Sequence, residues 1–168
     1  MYGGCKGLLG ESGLLILQFI SAIMIIILDQ GVKLWSVKSL APIAKIPIID
    51  GVFNLRYAEN TGAAFSMLRG NTVFLIVVPL IVVCVMIYVL AAKKVGSKVG
   101  SWGLTLILAG AVGNLIDRIF RGAVVDMFDF ELINFPIFNV ADIAVTIGAV
   151  LFFIFVIFFY DDKAEKKK

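Results

Sequence analysis

Residues Phe138 to Phe159 read FNVADIAVTIGAVLFFIFVIFF: an asparagine and an aspartate three positions apart, then an apolar run without a charge from Ile143 to Phe159. A run of that length and composition suits a helix that crosses about 30 Å of hydrocarbon. The rest of the chain agrees. Of its 168 residues 61% are hydrophobic and 16% charged, and its mean hydropathy is +1.03, outside the range of soluble domains.

The fold class that follows is an all-α membrane protein with four transmembrane helices, at Leu14 to about Trp35, Val73 to Ala92, Trp102 to Ile116 and Ile137 to Tyr160. The first span is interrupted by Asp29, and the third is short and ends in Asn114 and Asp117. Although it lies near the start, the first span is long, has no small-residue cleavage site and precedes three more, so it reads as a retained helix. Pro136 fits the first turn of the fourth helix, where a missing N–H costs nothing. The loops left over are too short for a soluble domain, so residues 1–168 are expected to form one domain, with a variable tail at 1–13 and a charged one at 161–168.

Basic residues set the expected orientation. The segment before the first span, the Lys93 to Lys98 link and the final tail hold eight of the fifteen lysines and arginines in short stretches; the other seven are spread over the two longer loops. Both termini are therefore expected in the cytoplasm, and Asp29, Asp126 and Asp142 at the outer surface. The net charge of +3 is modest, and its basic residues sit at span ends, suited to lipid headgroups rather than nucleic acid.

In the first outer loop, Ile46 to Tyr57 mixes β-branched, aromatic and turn residues and predicts one or two strands between helices 1 and 2. An open edge there would suit an extended peptide, or the hairpin merely caps the bundle. In the third span, Asn114, Asp117 and Arg118 share a helix face, and Asp117 with Arg118 also reads as a boundary ion pair. Asn139 and Asp142 share a face at the start of the fourth span, where Asp142 also suits a helix cap.

Ionised carboxylates at the edge of an apolar span mark functional sites, and Asp126 and Asp142 flank one short loop. The chain has no histidine, which excludes Ser-His-Asp and Cys-His machinery and the usual zinc sites; Cys5 and Cys84 are far apart, and no metal or organic cofactor is expected. A serine with a lysine base, Ser36 or Ser39 with Lys38, lacks a surrounding signature. Two aspartates sharing a proton can activate water and protonate a departing group, which suits peptide hydrolysis. Asp129, three residues after Asp126, is a competing carboxylate if that segment is helical. A proton-linked transporter would also use membrane carboxylates, but no internal repeat or paired broken helix accompanies them.

Leu28-Asp29-Gln30-Gly31-Val32-Lys33, Asn60-Thr61-Gly62-Ala63-Ala64-Phe65, Gly113-Asn114-Leu115-Ile116-Asp117-Arg118, Val124-Val125-Asp126 and Phe138-Asn139-Val140-Ala141-Asp142 together resemble, in order, the five blocks of the lipoprotein signal peptidases (signal peptidase II). The resemblance implies a bacterial cytoplasmic-membrane aspartyl endopeptidase that cuts prolipoproteins before a diacylglyceryl-modified cysteine. Within it, Asp126 and Asp142 correspond to the catalytic pair, and Asn60, Asn114, Arg118 and Asn139 to residues that orient the pair or hold substrate. Asp29, Lys33, Asp117 and Gly62 correspond to structural support. It further implies that the strands around residues 46 to 66 form a cradle over the site, that globomycin-type antibiotics block it, that membrane lipids are neighbours and that the chain is a monomer.

Overall fold

The computed structural model describes residues 10–62, 71–133 and 135–159. The tail with Cys5, the Ala63 to Phe65 part of the second block and the final charged tail lie outside these residues. Four helices are long and apolar enough to span a bilayer: α1 (Glu11–Trp35), α2 (Thr72–Ala91), α3 (Lys98–Arg121) and α4 (Val140–Phe159). Their outward faces carry exposed Ile16, Phe19, Ile81, Val85, Phe153 and Ile157, an arrangement stable only where the solvent is lipid. At its end α1 widens into a π-helical turn, Ser36–Leu40.

The strands are β1 (Lys45–Ile49), β2 (Phe53–Asn60) and β3 (Val124–Asp129), in an antiparallel sheet of order β1-β2-β3. The hairpin is the one expected between helices 1 and 2. The third strand, supplied by the segment between α3 and α4, was not expected. Its sequence, VVDMFD, is short, and its pairing with β2 links residues far apart in the chain. Buried Val125 and Met127 pack on Leu40 of the π-helical turn, with Val32, Val37 and Leu55 around them. That cluster fastens the sheet to the end of α1.

Two boundaries differ from expectation. Helix α3 runs to Arg121, so Asn114, Asp117 and Arg118 are intrahelical rather than beyond a short span. Polar residues continue the helix because each has a partner inside the bundle. Helix α4 starts at Val140, not near Pro136, because Phe138 is taken up by β3: its carbonyl accepts from Met127 N (3.0 Å) and Phe128 N (2.9 Å). Gly122, in the left-handed region at φ 77°, ends α3 and lets the chain turn directly into β3.

Candidate active site

The site lies where the ends of α1 and α3, the start of α4 and the sheet meet. In β3 alternate residues face opposite ways, so Val125 and Met127 point into the cluster under the sheet, and Val124 and Asp126 to the other face. Asp129 is on the same side as Val125 and Met127 and reaches Arg56 at 4.0 Å. Because this segment is a strand, Asp129 is turned away from Asp126 and leaves the cavity. Asn60 pairs with Val124, and Ala58 with Asp126, so Asn60 is the diagonal neighbour of Asp126. Its side chain bonds the Asp126 carboxyl.

Asp142 stands in the first turn of α4. Asn139 Oδ1 accepts from Asp142 N (2.9 Å), while Asn139 N donates to Asp142 Oδ2 (3.1 Å), a reciprocal capping box. The helix-cap reading of Asp142 is therefore correct, and it coexists with exposure to the cavity. With its oxygen committed, Asn139 turns its amide Nδ2 to Asp126 Oδ1 (2.6 Å) and to Asn114 Oδ1 (3.1 Å). Asn114 is locked in the same manner: its Oδ1 accepts from Lys33 Nζ (2.9 Å), so its Nδ2 donates to Asp142 Oδ1 (2.8 Å). Two asparagines thus join the carboxylates in a chain in which every amide orientation is fixed.

Beneath them, Lys33 is fully buried and lies 2.9 Å from both Asp29 Oδ2 and Asp117 Oδ2. Each aspartate also holds a neighbouring element. Asp29 Oδ1 accepts from Ala141 N (2.9 Å), fixing the start of α4, and Asp117 Oδ2 accepts from Val125 N (3.2 Å), fixing β3. Gly113 makes room for this, since a Cβ there would lie 2.6 Å from Asp29 Oδ2. The Asp117–Arg118 ion pair that the sequence left open does not form. Asp117 pairs with Lys33 and, at 3.5 Å, with Arg121, while Arg118 Nη2 donates to the carbonyl of Gly62 (3.2 Å). Gly62 N in turn donates to Asn60 Oδ1 (3.0 Å).

A cavity of about 490 Å³ opens onto this layer. Asp126, Asp142, Asn60, Asn114 and Arg118 contribute its polar groups, and Phe135, Ile137, Phe138, Ile143 and Ile147 are among its apolar ones. Asn139 is wholly buried behind it. Burial and the neighbouring Asp142 charge push the Asp126 carboxyl up to about 7, against weaker opposing effects of Asn139, Lys33 and Asn60. Asp142 instead receives two donors, and the Arg118 guanidinium faces both carboxyls. Arg118 Nε is buried with no hydrogen-bond partner among the described residues.

Asp126, Asp142, Asn60, Asn114 and Arg118 line the cavity, and Asn139, Asp29, Lys33, Asp117 and Gly62 bond to that layer or to its support; Asp129 and the serine–lysine candidates Ser36, Ser39 and Lys38 do not line it. Gln30 was missed as a contributor: its Nε2 donates to Asp29 Oδ2 (3.1 Å) and to the Gly113 carbonyl (3.1 Å), tying α1 to α3. Its signal was a second polar residue beside Asp29 in an apolar helix.

Four membrane-capable helices, a sheet clasped over one end and a carboxylate pair in a cavity beneath it define a multi-pass membrane protein with a hydrolase-like centre. A sequence model of signal peptidase (SPase) II matches residues 21–158, and the chain belongs to that family of membrane peptidases. A lipoprotein signal peptidase of Clostridioides difficile (strain 630) is 44% identical over 85% of this chain and 96% of its own. One from Enterococcus faecalis (strain ATCC 700802 / V583) is 40% identical over 92% and 94%. A solved bacterial membrane enzyme, determined by the in meso method at 2.3 Å resolution, superposes with a TM-score of 0.75 at 30% identity, covering 90% of this chain and 93% of that one.

Proposed function

We propose that this chain is an aspartyl endopeptidase that removes signal peptides from bacterial prolipoproteins, cutting on the N-terminal side of a diacylglyceryl-modified cysteine. The observation that carries the reading is the pair itself: two carboxyls joined through Asn139 and Asn114 at one cavity, in unlike environments. Asp142 accepts from two donors at a helix N-terminus, the position of the group that takes the proton from water in this reading. Asp126, raised to about 7, favours the acid near neutral pH.

The chemistry follows from that division. Asp142 takes a proton from a water while the water oxygen bonds to the scissile carbonyl carbon, and Asp126 gives its proton to the carbonyl oxygen. In the collapse of this gem-diol the C–N bond breaks, the amine nitrogen receives the proton held by Asp142, and a diol hydroxyl returns one to Asp126. Asn60 and Arg118 hold the peptide backbone, with the unpaired Arg118 Nε as the donor still free. The apolar part of the cavity suits acyl chains and the signal-peptide core, both already dissolved in the bilayer. In this reading the site lies at the outer face of the cytoplasmic membrane, both termini are cytoplasmic, and a single chain suffices. Globomycin-type peptides compete for the same cavity.

The test is cleavage of a diacylglyceryl-modified prolipoprotein in detergent by the wild-type chain, Asp126→Asn and Asp142→Asn. Turnover by wild type alone is expected, with lipopeptide binding retained by both variants. Turnover by either variant at the wild-type rate removes that aspartate from the mechanism.

A further inference from the structure

At the end of the bundle opposite the carboxylates, a second pocket of about 280 Å³ lies between the start of α1, the end of α2 and the start of α3. Leu14, Leu15, Val89 and Leu90 are among its apolar residues, and Gln18, Ser97, Lys98 and Ser101 among its polar ones. Among the described side chains, no acidic one lines it. An apolar wall beneath a polar, cationic rim at the end of three spans matches an amphipathic molecule lying at the membrane boundary.

Two independent features ask for a polar ligand. The first is the N-terminus of α3, a helix of 24 residues whose N-cap, Ser97, has extended backbone but makes no side-chain cap bond. Its first N–H groups and the positive end of the macrodipole therefore favour an anion. The second is Gln18, only 3% exposed, whose Nε2 donates to Ser101 Oγ (2.8 Å) while Oε1 has no partner. Ser101 Oγ already donates to the Lys98 carbonyl (3.0 Å). With that proton committed, Ser101 Oγ can only accept from Gln18, which fixes the amide orientation and leaves the acceptor Oε1 as the unmatched buried atom.

We propose that this pocket binds the headgroup of an anionic phospholipid such as phosphatidylglycerol, with its phosphate at the Ser97–Lys98 start of α3, a headgroup hydroxyl donating to Gln18 Oε1 and an acyl chain along Leu14, Val89 and Leu90. The membrane fits better than a free anion because nothing but an acyl chain uses the apolar wall. Lys93 lines the pocket beside Lys98 and adds to its cationic rim. Lipid held there joins α1 to the start of α3, adding to the Gln18–Ser101 bond between the same two helices.

The chain has two tryptophans, Trp35 and Trp102, and Trp102 follows Ser101 directly. In full-length Trp35→Phe protein stripped of lipid in nonionic detergent, Trp102 fluorescence reports quenching by phosphatidylglycerol or phosphatidylcholine brominated in the acyl chains. Half-quenching is expected at about fivefold less phosphatidylglycerol, the effect of about one lysine at an anionic surface. Gln18→Met and Lys98→Gln should each reduce that preference. Lys98 is exposed, so its variant decides the matter if Gln18→Met loses helical circular dichroism. Equal quenching by both lipids overturns the proposal, as does a preference unchanged in the folded variants. Reversal of the quenching by equimolar glycerol 1-phosphate makes the site one for free phosphate esters and likewise overturns the lipid assignment.

Discussion

Replacing Asp126 by asparagine should abolish cleavage and yet stabilise the fold at alkaline pH. The side chain is 3% exposed, and its carboxyl rises from 3.8 to about 7 on folding. At 1.36 kcal/mol per pKa unit, that rise corresponds to about 4 kcal/mol. Its sign follows from proton uptake. Between about pH 4 and 7 the unfolded chain loses this proton while the folded chain keeps it, so wild-type stability falls as pH rises through that window. Above about 7 the loss is complete. Asparagine does not titrate, and its Oδ1 still accepts from Asn139. Because the unfolded chain in a micelle stays partly ordered, about half the figure is a fair expectation: Asp126→Asn should be about 2 kcal/mol more stable than wild type at pH 8 and about equal to it at pH 4. In thermal unfolding of matched micelles that is roughly a 4–8 °C rise in Tm at pH 8. A variant less stable than wild type at pH 8, or offset by the same amount at both pH values, would refute the assignment of a strained carboxyl at this position.

The same proton sets the rate: with Asp126 as the acid, kcat/KM should fall about tenfold per pH unit above about 7, and a flat profile to pH 9 removes it from that role. Lys33→Met strands two buried carboxylates and should cost about 3–5 kcal/mol in chemical unfolding; adding Asp29→Asn and Asp117→Asn should restore much of it. Asn139→Ala removes an N-cap and the link between the carboxyls, for about 1 kcal/mol of stability. Its kcat should fall about 100-fold with KM nearly unchanged, since Asn139 is buried behind the cavity; a rise in KM alone would contradict the positioning role. Gly113→Ala presses a methyl into the Asp29 carboxylate and should lower stability by about 1–3 kcal/mol, read by the same unfolding assay.

The helices were legible in the sequence because lipid imposes a one-sided demand: an apolar residue is acceptable anywhere on the outside, so composition alone marks the spans. Their ends were less so. Asn114, Asp117 and Arg118 looked like the end of a span, yet each is matched across the bundle, and such partners lie far off in the chain. Strand β3 was hidden for the same reason. Val124 to Asp129 is no more strand-like than many apolar segments, and what makes it a strand is β2, more than sixty positions earlier. Asp126 was found, and preferred over Asp129, through its Val124-Val125-Asp126 context; the strand's alternation adds the physical reason that Asp129 faces the other way.

The charges of the site fall into two groups that each come close to neutrality. Asp29 and Asp117 are matched by Lys33 and, at the rim, by Arg121. Among the described residues, Asp126 and Asp142 share only Arg118 as a facing cation that is not already committed to another carboxylate by an ion pair. One proton on the pair makes that upper group neutral, whereas full ionisation leaves a surplus negative charge in surroundings of low polarity. The lower group has no such vacancy, because Lys33 is held by two carboxylates and an asparagine and has nothing left to give. The proton on Asp126 is therefore a consequence of burial first and of the neighbouring Asp142 charge second, with one facing cation too few to offset both. A carboxylate pair in water would reach that state only in acid; here burial and the Asp142 charge raise the Asp126 carboxyl to about 7 against the opposing pull of Asn139, Lys33 and Asn60.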